Sequence, residues 1–264
     1  MKNLEYLSDH RKKLIGKDLD KQMMKHLELL CINTELVQIT GSTSQKLQLI
    51  ESLRKINNIF NINLNIFIRT VLLTFSFLWF TYLGTQIGED YVAANAILIN
   101  LVFLSAFIMD AYAFSTEGVV GYSLGKRNFN LFKNIVKNSF ILSSLSGLVI
   151  SIIYLFSYEH VINLMSDLEE IRELSSSYVI WLIILPLISS FCYQFDGIFI
   201  GASQTKELRN AMVFSVLSYL IISIILTKLI FNNGIWMSLC IFMILRAISL
   251  FYYLDKIYLR FRNS

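Results

Sequence analysis

The fold of this chain is decided by residues 92–116, whose sequence is VAANAILINLVFLSAFIMDAYAFST. A helix that crosses a bilayer needs about 20 predominantly apolar residues, each advancing it by about 1.5 Å. The stretch meets both requirements, so it predicts a transmembrane helix. It also contains one acidic residue, Asp110. A charge in hydrocarbon costs about 2.5–3.5 kcal/mol or more, which makes Asp110 the first candidate functional residue.

Further runs of the same kind follow and precede this one. Hydrophobic residues make up 55% of the chain and its mean hydropathy is +0.57, values typical of a membrane protein. No run shows the alternation of an outer-membrane barrel strand. We therefore predict an all-α integral membrane protein with a six-helix bundle at residues 61–264. The six predicted spans are 65–84, 92–116, 132–157, 177–200, 211–231 and 234–254.

Residues 1–60 have a different character, with charges throughout and apolar residues at roughly helical spacing. They predict a cytoplasmic extension of one or two amphipathic helices, with a break near residues 41–44. Two interpretations stay open for this extension. In the first, the extension lies on the inner surface of the membrane, and in the second it is solvated in the cytoplasm.

Lysine and arginine are distributed unevenly among the connecting segments, and this predicts the topology. The alternate connections, residues 85–91 and 158–175, are rich in acids instead. By the positive-inside rule, both termini are expected in the cytoplasm of a bacterial cell, with the chain in the inner membrane. Trp79, Trp181 and Trp236 fall at the predicted outer ends, where an interfacial aromatic belt is expected. The cations of the predicted inner loops and tail are Lys126, Arg127, Lys133, Lys137, Lys206, Arg209, Lys256, Arg260 and Arg262.

A second acidic residue, Asp196, lies in the fourth predicted span, at a depth similar to that of Asp110. A hydrated or protonated acid at this depth is suited to a transport path, and the alternative is a static ion pair. Arg246, midway along the sixth span, is the candidate partner for such a pair. Glu117 follows Asp110 by two helical turns, so it lies on the same face of the helix. It is a third candidate for the path, or a solvated residue at headgroup level.

Three further features of the spans attract attention. Arg69 is near the inner end of the first span, where its side chain is expected to snorkel, and it is a second candidate ion-pair partner. Pro186 is the only proline, and it is expected to kink the fourth span. Gly118, Gly121 and Gly125 have the spacing that allows close contact between helices.

The sequence offers no signal for catalysis. The three cysteines and three histidines are scattered without metal-ligand spacing, and no nucleophile–base pair or phosphate-binding loop is visible. We expect no enzymatic activity, no metal or cofactor beyond a coupling ion such as H⁺ or Na⁺, and no nucleic-acid partner.

The acid-bearing segments resemble the C-terminal six-helix lobe of the MATE (multidrug and toxic compound extrusion) family, in particular its DinF-like branch. The resemblance covers roughly residues 58–260. The segments that carry it are NIFIRT at 65–70, AANAIL at 93–98, MDAYAF at 109–114, VGYSLG at 120–125, FDGIFIGA at 195–202 and RNAM at 209–212.

The resemblance implies a fold of twelve helices in two six-helix lobes, with an alternating-access cavity between them. Members export mostly cationic or amphipathic organic compounds in exchange for protons or sodium. By this likeness, Asp110 and Asp196 match acidic positions near the cavity. Arg69 and Glu117 match charged positions near the cytoplasmic side. The expected function is therefore half of an organic-cation antiporter embedded in the lipid bilayer.

The sequence departs from the family by having no counterpart of the N-terminal lobe, to whose first helix the proton-coupling acid of this branch is chiefly attributed. One lobe alone has no facing wall for its cavity. We expect either a separate N-lobe polypeptide or a second copy of the chain, unless the chain is a remnant of a split or decayed gene. Two alternatives remain. One is a flippase of lipid-linked oligosaccharides, and the other is a non-transporting membrane fragment or interaction protein.

Overall fold

A computed structural model describes the backbone of residues 43–262 and the side chains of residues 52–259. Six of its helices are long and apolar enough to cross a membrane, which confirms the predicted all-α bundle of six spans. The chain is a multi-pass membrane protein. In the described part of the chain the helices are α1 (Thr43–Thr85), α2 (Glu89–Gly125), α3 (Phe129–Met165), α4 (Glu169–Ser177), α5 (Val179–Gly201), α6 (Thr205–Ile230) and α7 (Asn232–Arg262).

The boundary predicted between the extension and the bundle falls inside α1. Packing divides the chain between Phe60 and Asn61, but the helix begins at Thr43 and continues through this point. The amphipathic helices predicted before Thr43, and most of the predicted break at 41–44, lie outside the described residues. The unit Asn61–Ser264 contains the rest of α1 and all the later helices.

Helices α2 and α3 extend well beyond the apolar runs that predicted them. Each has 37 residues, which corresponds to about 55 Å against a hydrocarbon thickness of about 30 Å. The predicted loop after the second span is therefore a short turn at 126–128. Lys133 and Lys137, counted among the loop cations although the predicted third span includes them, lie on α3. The sequence prediction ended where hydropathy fell, whereas backbone hydrogen bonding continues through polar residues. Asn128 begins α3 by accepting a hydrogen bond from Leu131 N at 2.9 Å.

The acidic connection predicted at 158–175 is also partly helical. It contains the end of α3 and the short helix α4, whose first turn carries Glu169 and Glu170. Negative side chains at a helix N-terminus stabilise it through the helix dipole. Ile171 and Ser175 are buried on the inner face of α4. We call the end of the bundle with α4 and the turn at 86–88 the acidic end, and the end with the turns at 126–128 and 202–204 the basic end.

Two apolar clusters fill the bundle, one toward each end. The larger cluster lies toward the acidic end and includes Phe80 of α1 and Trp236 of α7. The smaller cluster lies toward the basic end and surrounds Phe132, Phe199 and Ile257. Its described members come from α2, α3, α5, α6 and α7. Helix α1 thus joins the apolar core toward the acidic end.

Helices α2 and α5 approach each other at two glycines that the sequence analysis did not single out. A Cβ added at Gly197 would collide with the backbone of Ala113, and one added at Gly201 would collide with the backbone of Glu117. The two glycines are four residues apart, so they form one smooth strip on α5. This strip sets the distance between the helices that carry Asp110 and Asp196.

The three glycines predicted to make such a contact play a smaller part. Gly118 and Gly125 have no atom within 4 Å of an added Cβ, so their predicted packing role is wrong. Gly121 does face α5, with Gly201 O at 3.5 Å from its added Cβ. Spacing alone identified the motif on α2, whereas the tighter surface is on α5.

Pro186 lies inside α5 and is buried. Its carbonyl accepts a hydrogen bond from Ser189 Oγ at 3.3 Å, and Gly147 of α3 approaches it, with 2.9 Å from an added Cβ to Pro186 O. The proline therefore lies at a close contact between α3 and α5. The kink at this residue stays a prediction.

Tryptophan placement corrects one expectation. Trp79 and Trp181 are partly exposed, but Trp236 is fully buried and does not belong to an interfacial belt. Its ring packs edge-on against Phe80 with 4.8 Å between centroids, and its Nε1 donates to Asn95 Oδ1 at 2.8 Å. A buried indole is stable here because its only polar group has an acceptor.

Candidate functional site

A charged cluster lies inside the bundle, where three helices meet at one carboxylate. Asp196 of α5 accepts hydrogen bonds at Oδ2 from Nη2 of Arg69 on α1 and from Nη2 of Arg246 on α7. Asp196 is 3% exposed and Arg246 is 1% exposed. The side chain of Arg69 is 14% exposed. The ion-pair alternative raised for Asp196 is thus present in the structure, with two arginines instead of one.

The register of the helices brings Asp110 to the same level. Phe77 of α1 and Phe103 of α2 pack edge-on with 4.9 Å between ring centroids. The helices are antiparallel, so moving eight residues back from Phe77 and seven forward from Phe103 reaches Arg69 and Asp110. Asp110 interacts electrostatically with Arg69, with Asp196 and with Arg246. Asp110 therefore lies within electrostatic range of these three groups without forming an ion pair with either arginine.

Hydrogen bonding within this cluster is incomplete. Oδ1 of Asp196 and Nε of both arginines are buried and have no hydrogen-bond partner in the described part of the chain. Buried charges are costly unless their remaining donors and acceptors are satisfied. The cluster thus holds the helices together while keeping capacity for a further hydrogen bond. The two guanidiniums neutralise Asp196, so this carboxylate has little net charge left to attract a cationic solute.

Asp110 and Glu117 are in a different situation. Both are partly exposed, and they lie two turns apart on one face of α2. Among the described side chains, neither forms an ion pair with a lysine or arginine. The candidate acids therefore divide into one buried and neutralised carboxylate and two accessible ones.

The expectation that Arg69 snorkels is wrong. Its guanidinium turns inward to Asp196 instead of reaching along the helix toward the headgroups. The physical reason is that a buried carboxylate bound by a single arginine still lacks hydrogen-bond donors. Depth in the first span gave no signal for this, because hydropathy does not tell which helices are neighbours.

Several polar contacts near the cluster were not found by sequence reasoning. Thr116 Oγ1 and Gln194 Oε1 are 2.8 Å apart, and both residues are buried at the contact between α2 and α5. On the other side, Asn65 of α1 donates to Thr205 Oγ1 at 3.4 Å and accepts from Arg209 Nη1 at 2.9 Å. Arg209 was counted as a loop cation, but it lies in α6 and ties this helix to α1.

Comparisons with known proteins agree with this architecture. The sequence model of the MatE family matches residues 66–229. The DNA damage-inducible protein F of Escherichia coli (strain K12) is 33% identical over 189 residues, which are 72% of this chain and 41% of that protein. A solved structure, the crystal structure of MATE in complex with MaL6, superposes with a TM-score of 0.71 at 14% identity. The superposed region covers 79% of this chain and 48% of the solved chain.

The solved structure supports the fold alone, because the identity is low. The chain spans less than half the length of either relative, as expected for one six-helix lobe. The family match is stronger, since it covers more than half of the chain and includes Arg69, Asp110, Glu117 and Asp196. The chain therefore belongs to the MatE family, whose members are transporters and not enzymes.

Proposed function

We propose that this chain is one six-helix half of a secondary antiporter that exports organic cations across the bacterial inner membrane. The observation that carries the proposal is the division of the intramembrane acids. Asp196 is neutralised by Arg69 and Arg246, whereas Asp110 and Glu117 have no such partner and remain accessible on α2. An accessible carboxylate at membrane depth attracts cations and is expensive without a function.

The exchange follows from competition for one carboxylate. A proton or Na⁺ bound to Asp110 removes the negative charge that an organic cation needs, so the coupling ion and the cargo occupy the site in turn. Glu117 extends the negative face toward the basic end. Asp196 and its two arginines join α5 to α1 and α7 beside α2.

Alternating access requires a second bundle. Asp110 and Glu117 are partly exposed at the edge of the contact between α2 and α5, and a cavity beside them needs a facing wall. We infer that a second six-helix lobe, distinct from this one, supplies it. By the positive-inside rule the basic end faces the cytoplasm, with both termini on that side.

Reconstitution in liposomes tests the proposal. We expect the chain alone to give no efflux of a fluorescent organic cation, and co-reconstitution with the second lobe to give efflux driven by a proton or sodium gradient. Asp110→Asn is expected to abolish this efflux at near-normal membrane expression. The matched control is Asp255→Asn, which changes an exposed acid of α7 and should leave efflux unchanged. Efflux by the chain alone, or normal efflux by Asp110→Asn, would contradict the proposal.

The flippase alternative has less support. A flippase for lipid-linked oligosaccharides needs cations in its cavity to bind the anionic head of its cargo. Here the two arginines of the predicted apolar runs, Arg69 and Arg246, bind Asp196. Acceleration of lipid-linked oligosaccharide transfer without cation efflux, in the same liposomes, would favour the flippase. Absence of both activities in every combination would favour the non-transporting alternative.

A further inference from the structure

Helix α3 carries an exposed stripe whose chemistry changes along its length. Toward the basic end the exposed residues of the stripe are polar or positive. From Ile141 to Phe156 they are apolar, with Ile141 56% exposed and Phe156 80% exposed. The polar members are Asn130, Lys133, Asn134, Lys137 and Asn138, and the apolar members are Ile141, Leu142, Leu145, Leu148, Val149, Ile152, Ile153, Leu155 and Phe156.

The switch from polar to apolar exposed residues places Lys133 and Lys137 at a defined depth. The apolar part, from Ile141 to Phe156, extends about 22 Å along the helix, most of the hydrocarbon thickness of about 30 Å. Lys137 lies about 6 Å beyond Ile141, and Lys133 lies about 12 Å beyond it. Both ammonium groups can therefore reach the layer of lipid phosphates.

The two lysines have no acidic residue near them along α3. No acidic residue occurs between Glu117 and Glu159, a segment that contains Lys126, Arg127, Lys133 and Lys137. Among the described side chains, neither Lys133 nor Lys137 forms an ion pair.

Helix α7 packs beside the start of α3, since the ring of Tyr258 lies 5.7 Å from that of Phe129 and 5.8 Å from that of Phe132. Its exposed acid, Asp255, forms no ion pair in the described part. The nearby Glu207 of α6 is bound to Lys256 at 3.1 Å. The described acids of α6 and α7 therefore form no ion pair with the lysines of α3.

We propose that the stripe on α3 is a binding site for anionic phospholipids, with Lys133 and Lys137 binding the headgroup phosphate and the apolar part contacting the acyl chains. The occupant is a lipid because only an amphiphile matches both parts of one continuous stripe. A soluble polyanion would use the lysines and leave the aliphatic surface uncovered. Tyr122, 55% exposed, lies beside Lys126 at the turn, with 4.6 Å from Nζ to the ring centroid. An exposed aromatic ring beside a lysine is typical of the membrane interface.

The experiment compares lipid retention by the purified full chain. The chain in detergent is titrated with phosphatidylglycerol or phosphatidylcholine, and bound lipid is counted by native mass spectrometry. Lys133→Gln combined with Lys137→Gln is expected to weaken phosphatidylglycerol binding by about 30-fold, because each interfacial lysine strengthens it roughly fivefold. Retention of phosphatidylcholine should not change, which also shows that the variant is folded.

The matched control replaces two exposed lysines on α6, Lys206→Gln with Lys228→Gln, and thus makes the same change in net charge. It should bind phosphatidylglycerol like the unaltered chain.

Equal weakening in the control would overturn the proposal, since the effect would then follow net charge. Displacement of the lipid by millimolar inorganic phosphate would also overturn it, because the acyl chains would then contribute nothing. If a co-purified second lobe protects Lys133 and Lys137 from amine modification in lipid-free detergent, the occupant is protein and the proposal is wrong. The titration needs no transport, so its outcome is independent of the proposed antiport.

Discussion

The helices are held together toward the two ends of the bundle by different polar contacts, neutral hydrogen bonds at one end and ion pairs toward the other. At the acidic end, Asn95 and Asn232 exchange two hydrogen bonds of 2.6 and 3.0 Å, and Trp236 donates a third to Asn95. All three residues are buried and uncharged. Farther toward the basic end, the same task falls to Asp196 and its two arginines, whose hydrogen bonding is incomplete.

Helix α1 shows the same contrast within one element. Toward the acidic end, Ser76, Phe80 and Leu83 are buried in the core. Toward the basic end, no residue of 61–75 is buried, and this half is joined to α5 and α6 by Arg69 and Asn65. A neutral, satisfied network does not depend on protonation, whereas contacts between charged groups can be released by one proton or one ion. The difference indicates a fixed end and a conditional end.

The largest effect is expected at Asp196. Asp196→Asn removes the negative charge between two buried guanidiniums, and stranding buried charges costs about 3–5 kcal/mol. We expect a loss of this size in the free energy of unfolding in detergent, together with a lower yield in membranes. Asp110→Asn is the control. It changes a partly exposed acid without an ion pair, and should cost under about 1 kcal/mol.

A compensating variant separates charge from shape in the same test. Replacing Asp196 by Leu and both arginines by Met removes the charges together, and such apolar replacements are often neutral or stabilising. We therefore expect the triple variant to be more stable than Asp196→Asn. Equal stability of Asp196→Asn and Asp110→Asn would contradict the view that the ion pairs of Asp196 hold these helices together.

The next effect is expected in the neutral network at the acidic end. Asn95→Leu leaves Trp236 Nε1 and Asn232 Nδ2 without their acceptor, and each stranded donor costs about 1–3 kcal/mol. Asn100→Leu is the matched control on the same helix, because Asn100 is exposed. Thermal unfolding should show a clear loss for the first variant and almost none for the second. A loss that depends on pH between 5 and 8 would contradict the view that this end is fixed.

Close packing between α2 and α5 gives a third, smaller effect. Gly197→Ala places a methyl group against the backbone of Ala113, which cannot move as a side chain can. Overpacking of this kind costs about 1–3 kcal/mol. Gly118→Ala, with open space around its Cβ, should be neutral or should stabilise α2 by less than about 1 kcal/mol. If both variants unfold at the same temperature, the two helices are not in contact at Gly197.

The sequence predicted the positions of the spans better than it predicted which helices pack against each other, and the reason is physical. A spanning helix satisfies its own backbone, so length and hydropathy identify it from local sequence. Which carboxylate binds which arginine depends on the lateral order of the helices, which hydropathy does not contain. Arg69 and Arg246 were both candidate ion-pair partners, yet only the packed bundle shows that both bind Asp196. The error at Trp236 has the same cause. Its position at the end of a span predicted an interfacial ring, but the helices packed around it bury the ring.

The smallest and most local effect concerns the two halves of α1. Amide hydrogens exchange when a segment opens, and segments with few buried contacts open at lower free energy. We therefore expect amides of residues 61–75 to exchange faster than those of residues 76–85 in hydrogen–deuterium exchange of the chain in nanodiscs. Arg69→Met should increase exchange in 61–75 by about tenfold, because a hydrogen bond to a charged group is worth about 1.5–3 kcal/mol.

Trp79→Phe provides the control on the other half of α1. It removes the hydrogen bond of 2.9 Å from Trp79 Nε1 to Ser223 Oγ while keeping an aromatic ring in the core. Exchange in residues 76–85 should change little, because Phe80 and Leu83 still anchor that half. Uniform protection along α1, or a response to Arg69→Met that spreads equally over both halves, would mean that α1 is a single rigid rod. Because Arg246 still neutralises Asp196 in Arg69→Met, such a result would reflect the helix itself and not a stranded carboxylate.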